Sequence, residues 1–356
     1  MRSWRWTTLA LVIAIGAAPA ANAIQAQLPV PARTAPSWRV ARDPFVDLWY
    51  HCLALVGYEG YGPLSLYDRS DAAGARAAKR RAGLATTLDT RGAELAAAFA
   101  RDSAFEILHF VPVYFLGRDP RVALTELRQA VESPVASPNA PAGLIAAALA
   151  TPRERAVLLS FIDAAEEEWA SHYRDAWTDR SEADRRAVQE LQVTWTDRFA
   201  QPLAGYLGAT TLMHGVIIVS PAVGSDGRFV RDAAGMAIVV VSSTRTDLTD
   251  APLLAAVREL TYPLLDRLRT PLTAPTTRVA AARARDAAAV RAGALLLDAT
   301  EQRLAAEYRH HFLQLTTGRS FDSAYPIDRD AEAELRALIA ATLTNVAART
   351  SSYENP

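Results

Sequence analysis

Six histidines and one cysteine are the only imidazole and thiol groups of this chain, and their spacing makes no ordinary metal site. His51, His109, His172, His214, His310 and His311 include no pair four residues apart on a helix, the separation that brings two imidazoles onto one zinc ion. His310 and His311 are adjacent and point to different helix faces, so a surface or capping role is expected of them. His109, in the apolar run Phe105 to Leu116, and His214, in a β-branched run, read as hydrogen-bonded structural histidines. Cys52 lies in the apolar stretch Phe45 to Val56 and reads as a buried, inert thiol. The chain has no Gly-x-Ser-x-Gly elbow, no phosphate loop and no dinucleotide fingerprint. What remains is one carboxylate in a particular setting: Glu259, preceded by Arg258 and followed by Leu260, Thr261 and Tyr262.

The elements around Glu259 can be read from patterning. Asp250 followed by Pro252 opens a helix whose apolar stripe runs from Leu253 through Leu254, Val257, Leu260 and Leu264 to Leu268. Arg258, Thr261, Tyr262 and Arg269 lie off that stripe, and Pro263 is expected to bend the helix just beyond Tyr262. Before it, Thr210 to Val219 and Met236 to Ser243 are β-branched runs separated by Gly224-Ser225-Asp226-Gly227 and by a second turn, from Asp232 to Gly235. They predict a short antiparallel meander, the only sheet of a mainly α-helical α+β chain. After it, a long helix is expected near Arg283 to Leu313 and a last one from about Asp330 to Arg349. Upstream, Thr151 with Pro152 and Glu154 is a capping box opening a helix through Tyr173, and Ser181 with Asp184 predicts the start of another.

A small sheet, a capped apolar helix bearing R-E-L-T-Y and a further long helix resemble, in that order, the gluzincin class of zinc metallopeptidases. That class carries H-E-x-x-H on the helix. Its two histidines bind zinc, its glutamate polarises the attacking water, and a third ligand, a glutamate, comes from the following helix. Here Arg258 and Tyr262 stand at the two histidine positions, and Glu259 alone matches, as a vestigial general base. Arginine stays protonated and cannot ligate zinc, and tyrosine substitutes poorly for an imidazole. The acids available for the third position are Asp286, Asp298 and Glu301, none of them a clear match. The resemblance covers roughly Thr210 to Leu313 and implies a degenerate member, with no metal and no cofactor. Read without the resemblance, Glu259 is a carboxylate paired with Arg258 or with an arginine of the next helix, such as Arg291.

Composition sets the wider frame. With 356 residues, 50% of them hydrophobic and 22% charged, the chain is globular, and a net charge of −1 gives no field for nucleic acid. Lys79 is the only lysine. Arg2 and Arg5, the apolar run Thr8 to Ala18, and Ala21-Asn22-Ala23 have the order of a secretory signal, with residues 1–23 removed on export and no stable membrane span left. Residues 24–42 read as an extended lead-in, 43–205 as a helical lobe, 206–349 as sheet plus helices, and 350–356 as a tail. The expected function is that of a secreted or periplasmic pseudopeptidase binding a peptide or protein. The alternatives are a live hydrolase using Glu259 as base with a carboxylate of the third helix, and a structural envelope protein.

Overall fold

The computed structural model describes residues 36–58, 64–133, 145, 147–232, 235–243, 250–272, 277–318 and 320–351, the side chains only as far as 344. Residues 1–23, expected to be an export signal, most of the lead-in and the last residues of the tail lie outside the described residues.

The two β-branched runs form the centre of the sheet. Strands β1 (Ser37–Ala41), β2 (His214–Ser220), β3 (Arg228–Arg231) and β4 (Ala237–Ser242) lie in the order β1-β2-β4-β3. β1 and β4 both run parallel to β2, and only β3 is antiparallel to its neighbour β4. The chain is thus mainly helical α+β, but the sheet is mixed, not the antiparallel meander the sequence suggests. The chain does run up, down and up through β2, β3 and β4. However, β4 inserts between the other two. Burial explains that order. Every residue of β2 from Gly215 to Ser220 and every residue of β4 from Ala237 to Val241 is buried, whereas β3 is half-buried and carries arginine at both ends. Strands apolar on both faces take the centre, and the charged one takes the edge.

The pleat divides the core. Val216, Ile218, Ile238 and Val240 pack with the N-terminal helices, while Ile217, Val219, Val239 and Val241 pack with the C-terminal helices. On the first face lie α1 (Pro44–Val56), α2 (Arg69–Arg81), α3 (Thr87–Ala100), two short 3₁₀ turns within Ser103–Phe115, α4 (Pro120–Glu132) and α5 (Pro152–Glu168). The capping box at Thr151 forms as expected, each partner bonding the other's backbone amide, at 3.2 and 2.9 Å. The expected start at Ser181 does not occur. The helix runs on through a π turn (Trp169–Tyr173), α6 (Arg174–Thr194), a second π turn (Trp195–Ala200) and α7 (Gln201–Ala209). Trp195, Phe199, Leu203 and Tyr206 in its last part join the core of the second face.

That face is completed by α8 (Ala251–Leu260), the single turn α9 (Tyr262–Leu265), α10 (Arg278–Thr300), α11 (Gln302–Gln314), the short α12 (Phe321–Ala324) and α13 (Arg329–Ser351). The helix expected from Arg283 to Leu313 is two helices. Glu301 is extended, with φ −157° and ψ 92°, and its side chain caps α11. Asp250 precedes α8 without capping it, because its carboxylate is taken by Arg198.

Edge strand β1 is closed by a side chain. Val40 N–H donates to Gln192 Oε1 at 2.6 Å, and Gln192 Nε2 donates to the Trp38 carbonyl at 3.2 Å, so the amide of α6 stands in for a neighbouring strand. Gln192→Ala should cost about 1–2 kcal/mol, because it strands a buried amide, and should speed hydrogen exchange at Val40. Urea denaturation and amide exchange measure both. Across the sheet, Gly215 is the register partner of Trp38, and a Cβ there would lie 2.5 Å from the indole ring.

Candidate functional site

Arg258 is held at the centre of the second layer. Its side chain is 1% exposed, and its guanidinium meets carboxylates from three elements. Nη1 donates to Asp226 Oδ1 at 2.5 Å, and Nη2 donates to Asp286 Oδ1 on α10 at 3.3 Å and to the Tyr262 hydroxyl at 3.2 Å. Tyr262 in turn donates to Asp286 Oδ1 at 3.3 Å. Asp226 belongs to the turn between β2 and β3. That turn is pinned to the first layer by Gly224 N–H to Leu66 O (2.8 Å) and Asp226 N–H to Ser65 O (2.9 Å). The other oxygen of Asp226 accepts from Arg228 Nη1 of β3 at 2.6 Å, and the Arg228 guanidinium lies 5.5 Å from the centre of the Phe110 ring.

Glu259 has a different environment. Its Oε1 lies 3.0 Å from Arg258 Nη1, yet among the described residues neither carboxyl oxygen has a hydrogen-bond partner, and Glu259 is 1% exposed. It packs on Gly227, where a Cβ would come within 2.8 Å of Glu259 Cγ. Burial pushes its pKa up to about 8, partly offset by Arg258 and reinforced by the charge of Asp226. Burial likewise raises Asp286 to about 6. Asp226 is buried too, but the two guanidinium groups overcome that and hold it at about 2. With Glu259 protonated, two arginines face two carboxylates and the buried cluster is neutral.

The helix breaks at Thr261, one residue earlier than Pro263 suggested. Two carbonyls at the break are satisfied: Thr261 Oγ1 donates to Arg258 O at 2.7 Å, with Ala289 O of α10 also within 3.2 Å of that hydroxyl, and Tyr206 donates to Leu260 O at 2.6 Å. Arg258, Glu259 and Tyr262 therefore sit between the β2–β3 turn, β3 and α10. Asp286, one of three acids considered for the third position, joins them. Asp298 does not, being bound by Arg309, and Glu301 is the cap of α11. Arg291 is also absent from the cluster, paired instead with Asp322 and Glu332. Arg258 and Glu259 are enclosed and do not line an open groove.

Among the histidines, His109 is buried, with Nδ1 2.5 Å from the Tyr67 hydroxyl and its ring stacked on Tyr58. Burial, with Arg228 adding to it, holds it well below the usual imidazole range. His214 is exposed at the first residue of β2, so it is no core histidine. His310 is exposed beside Gln314, and its neighbour His311 is buried and pushed down to about 4 by that burial.

A second polar cluster, in the first layer, has no counterpart in the sequence reading. Lys79 Nζ, 1% exposed, binds Glu168 Oε2 at 2.8 Å and Asp89 Oδ2 at 2.7 Å, and His51 Nε2 lies 3.0 Å from Glu168 Oε1. One signal was available: Lys79 is the sole lysine in a chain that otherwise uses arginine. The compact ammonium of Lys79 reaches Glu168, Asp89 and the Thr86 hydroxyl at once.

Among the described residues no group of three His, Cys, Asp or Glu side chains could hold a metal ion, and no helix is long and apolar enough to cross a membrane. No family model, no curated protein and no solved structure matches the chain.

Proposed function

We propose that this is an exported protein built on a zinc-metallopeptidase-like scaffold in which a guanidinium has taken the place of the metal, and that it acts as a non-catalytic peptide- or protein-binding module. One observation carries the reading. Positions 258, 262 and 286, those the resemblance reserves for zinc ligands or offers for the third one, converge within 3.3 Å of one another's polar atoms. The charge at that point is the cation of Arg258 itself. A buried cation tied to two carboxylates leaves neither an open coordination position nor a place for an attacking water. Binding without chemistry suits an extended peptide along β3, the outer strand beside the cluster. The opposite edge, β1, is closed by Gln192.

The hydrolase reading draws on one feature, a Glu259 carboxyl that holds its proton near neutral pH. A general acid or base must still reach its substrate, and Glu259 is 1% exposed. Casein turnover that Glu259→Gln abolishes without unfolding the chain would establish that reading and end the other.

The scaffold itself is tested by rebuilding the ligands. Arg258→His with Tyr262→His should create a zinc site that raises thermal stability in the presence of zinc. Adding Asp286→Asn should weaken that affinity at least tenfold, because a third ligand is lost. Two histidines on any helix can chelate weakly, so the effect of Asp286 is the discriminating result. Equal zinc affinity with and without Asp286→Asn, measured by calorimetry, removes the metallopeptidase ancestry.

A further inference from the structure

The helix α2 is held down by charge and not by apolar burial. Of its residues Arg69–Arg81 only Ala72 and Lys79 are buried. Its polar ties include Arg76 to the Leu55 carbonyl, Asp71 Oδ1 to Arg180 Nη1 at 3.0 Å, and Lys79 to Glu168, Asp89 and Thr86. His51, on the fully buried α1 beneath, sits in the middle. Its Nε2 is 3.0 Å from Glu168 of α5, its Nδ1 4.0 Å from Asp71 Oδ2 of α2, and its ring is stacked on Tyr173 with centroids 4.1 Å apart.

We propose that the His51 imidazolium is a proton-operated latch for α2: charged, it bridges the helix to α5, and on losing its proton it frees α2 to lift from α1. The charge count around the ring gives the reason. Lys79 and Arg180 face Asp71, Asp89 and Glu168, so the cluster balances only when His51 supplies the third positive charge. Asp47, one turn earlier on α1, shares Arg42 with the more exposed Asp184 of α6, and that pair lies apart from the His51 ring. The π turn contributes His172 and Tyr173, and His172 is held below the usual imidazole range, chiefly by burial. Without the His51 proton the three carboxylates, of which Glu168 is fully buried and Asp71 and Asp89 mostly so, keep only two counter-charges, and the cheapest relief is for the polar helix to move into water.

The direction of the dependence follows. Burial opposes the charged ring, but the negative charge of Asp71, 4.0 Å away, and the hydrogen bond and charge of Glu168 outweigh it, so the His51 pKa is raised above its ordinary 6.5. A raised imidazole stabilises fully below its unfolded value, and that contribution is lost as pH climbs through the folded one. The latch therefore opens on the alkaline side.

Cys52, the next residue on α1, supplies the readout. It is the only cysteine, fully buried, and near enough to Lys79 and Glu168 for their charges to act on its thiol. Iodoacetamide alkylation of the full chain is followed from pH 6 to 9, each rate divided by that of the urea-unfolded chain at the same pH. The corrected rate should rise at least tenfold with pH, while amide exchange shows lost protection across residues 69–81 and not in β2 or β4. His51→Gln should alkylate fast at every pH. A corrected rate that stays flat overturns the latch, and so does loss of protection in α2 and the central strands together. If His51→Gln does not fold, the wild-type ring titration decides: a His51 ring titrating at or below its ordinary 6.5 overturns it equally.

Discussion

Arg258→Met should destabilise the protein by about 3–5 kcal/mol at pH 7, the cost of stripping a buried charge network of one partner. Methionine comes close in length and fills the space, so the loss isolates charge and hydrogen bonding from packing. What it leaves behind decides the size. Asp226 keeps Arg228, but Asp286 keeps only the Tyr262 hydroxyl, at 3.3 Å. Arg258→Lys should fall between, since an ammonium retains the charge and loses the fork that reaches Asp226 and Asp286 at once. Lower pH should shrink the Arg258→Met deficit, because Asp286, already raised to about 6, can then be buried neutral. Urea denaturation at pH 5 and pH 7 gives these differences. A deficit under about 1 kcal/mol at pH 7 would place the cluster among ion pairs that contribute little.

The ease of reading each part of this molecule from its sequence followed the distance over which the causes act. The capping box at Thr151 needs only Glu154, three residues on, and forms as expected. The runs Thr210 to Val219 and Met236 to Ser243 declare strands by their β-branched side chains, and strands form there over His214–Ser220 and Ala237–Ser242, the first starting four residues later than expected. Strand direction was not local information. β1 lies in a Pro- and Ala-rich lead-in, has five residues, and pairs with β2 across most of the helical layer. The order β1-β2-β4-β3 follows from burying both faces of two strands at once, which a turn-by-turn reading cannot weigh. The same holds for the sites. Arg258, Glu259 and Tyr262 lie within five consecutive residues, so their spacing marked them although the helix breaks between them. Asp226 was visible only as a turn residue and Asp286 only as one acid among three. The cluster of His51, Lys79 and Glu168 draws on three separate helices.

Glu259→Gln should raise stability relative to wild type by less than about 1 kcal/mol at pH 5 and by a few kcal/mol at pH 8. The carboxyl is raised from its ordinary 4.5 to about 8, so between those values the native state holds a proton that the unfolded chain has released. Stability then falls as pH rises through that window, by up to about 1.4 kcal/mol per unit. Asp286 acts in the same direction but only up to about 6, and Asp226, lowered to about 2, acts in the opposite direction and only in acid. His51 also favours the acid side, and its contribution is common to both proteins. The difference between the two stability curves therefore isolates Glu259 above pH 6. Glutamine is isosteric with the protonated acid and never ionises, so that difference should widen steadily from pH 6 to 8 and then level off. Parallel curves would mean that Glu259 is ionised in the native state, paired with the guanidinium 3.0 Å away. The buried cluster would then carry a net negative charge, three carboxylates facing Arg258 and Arg228.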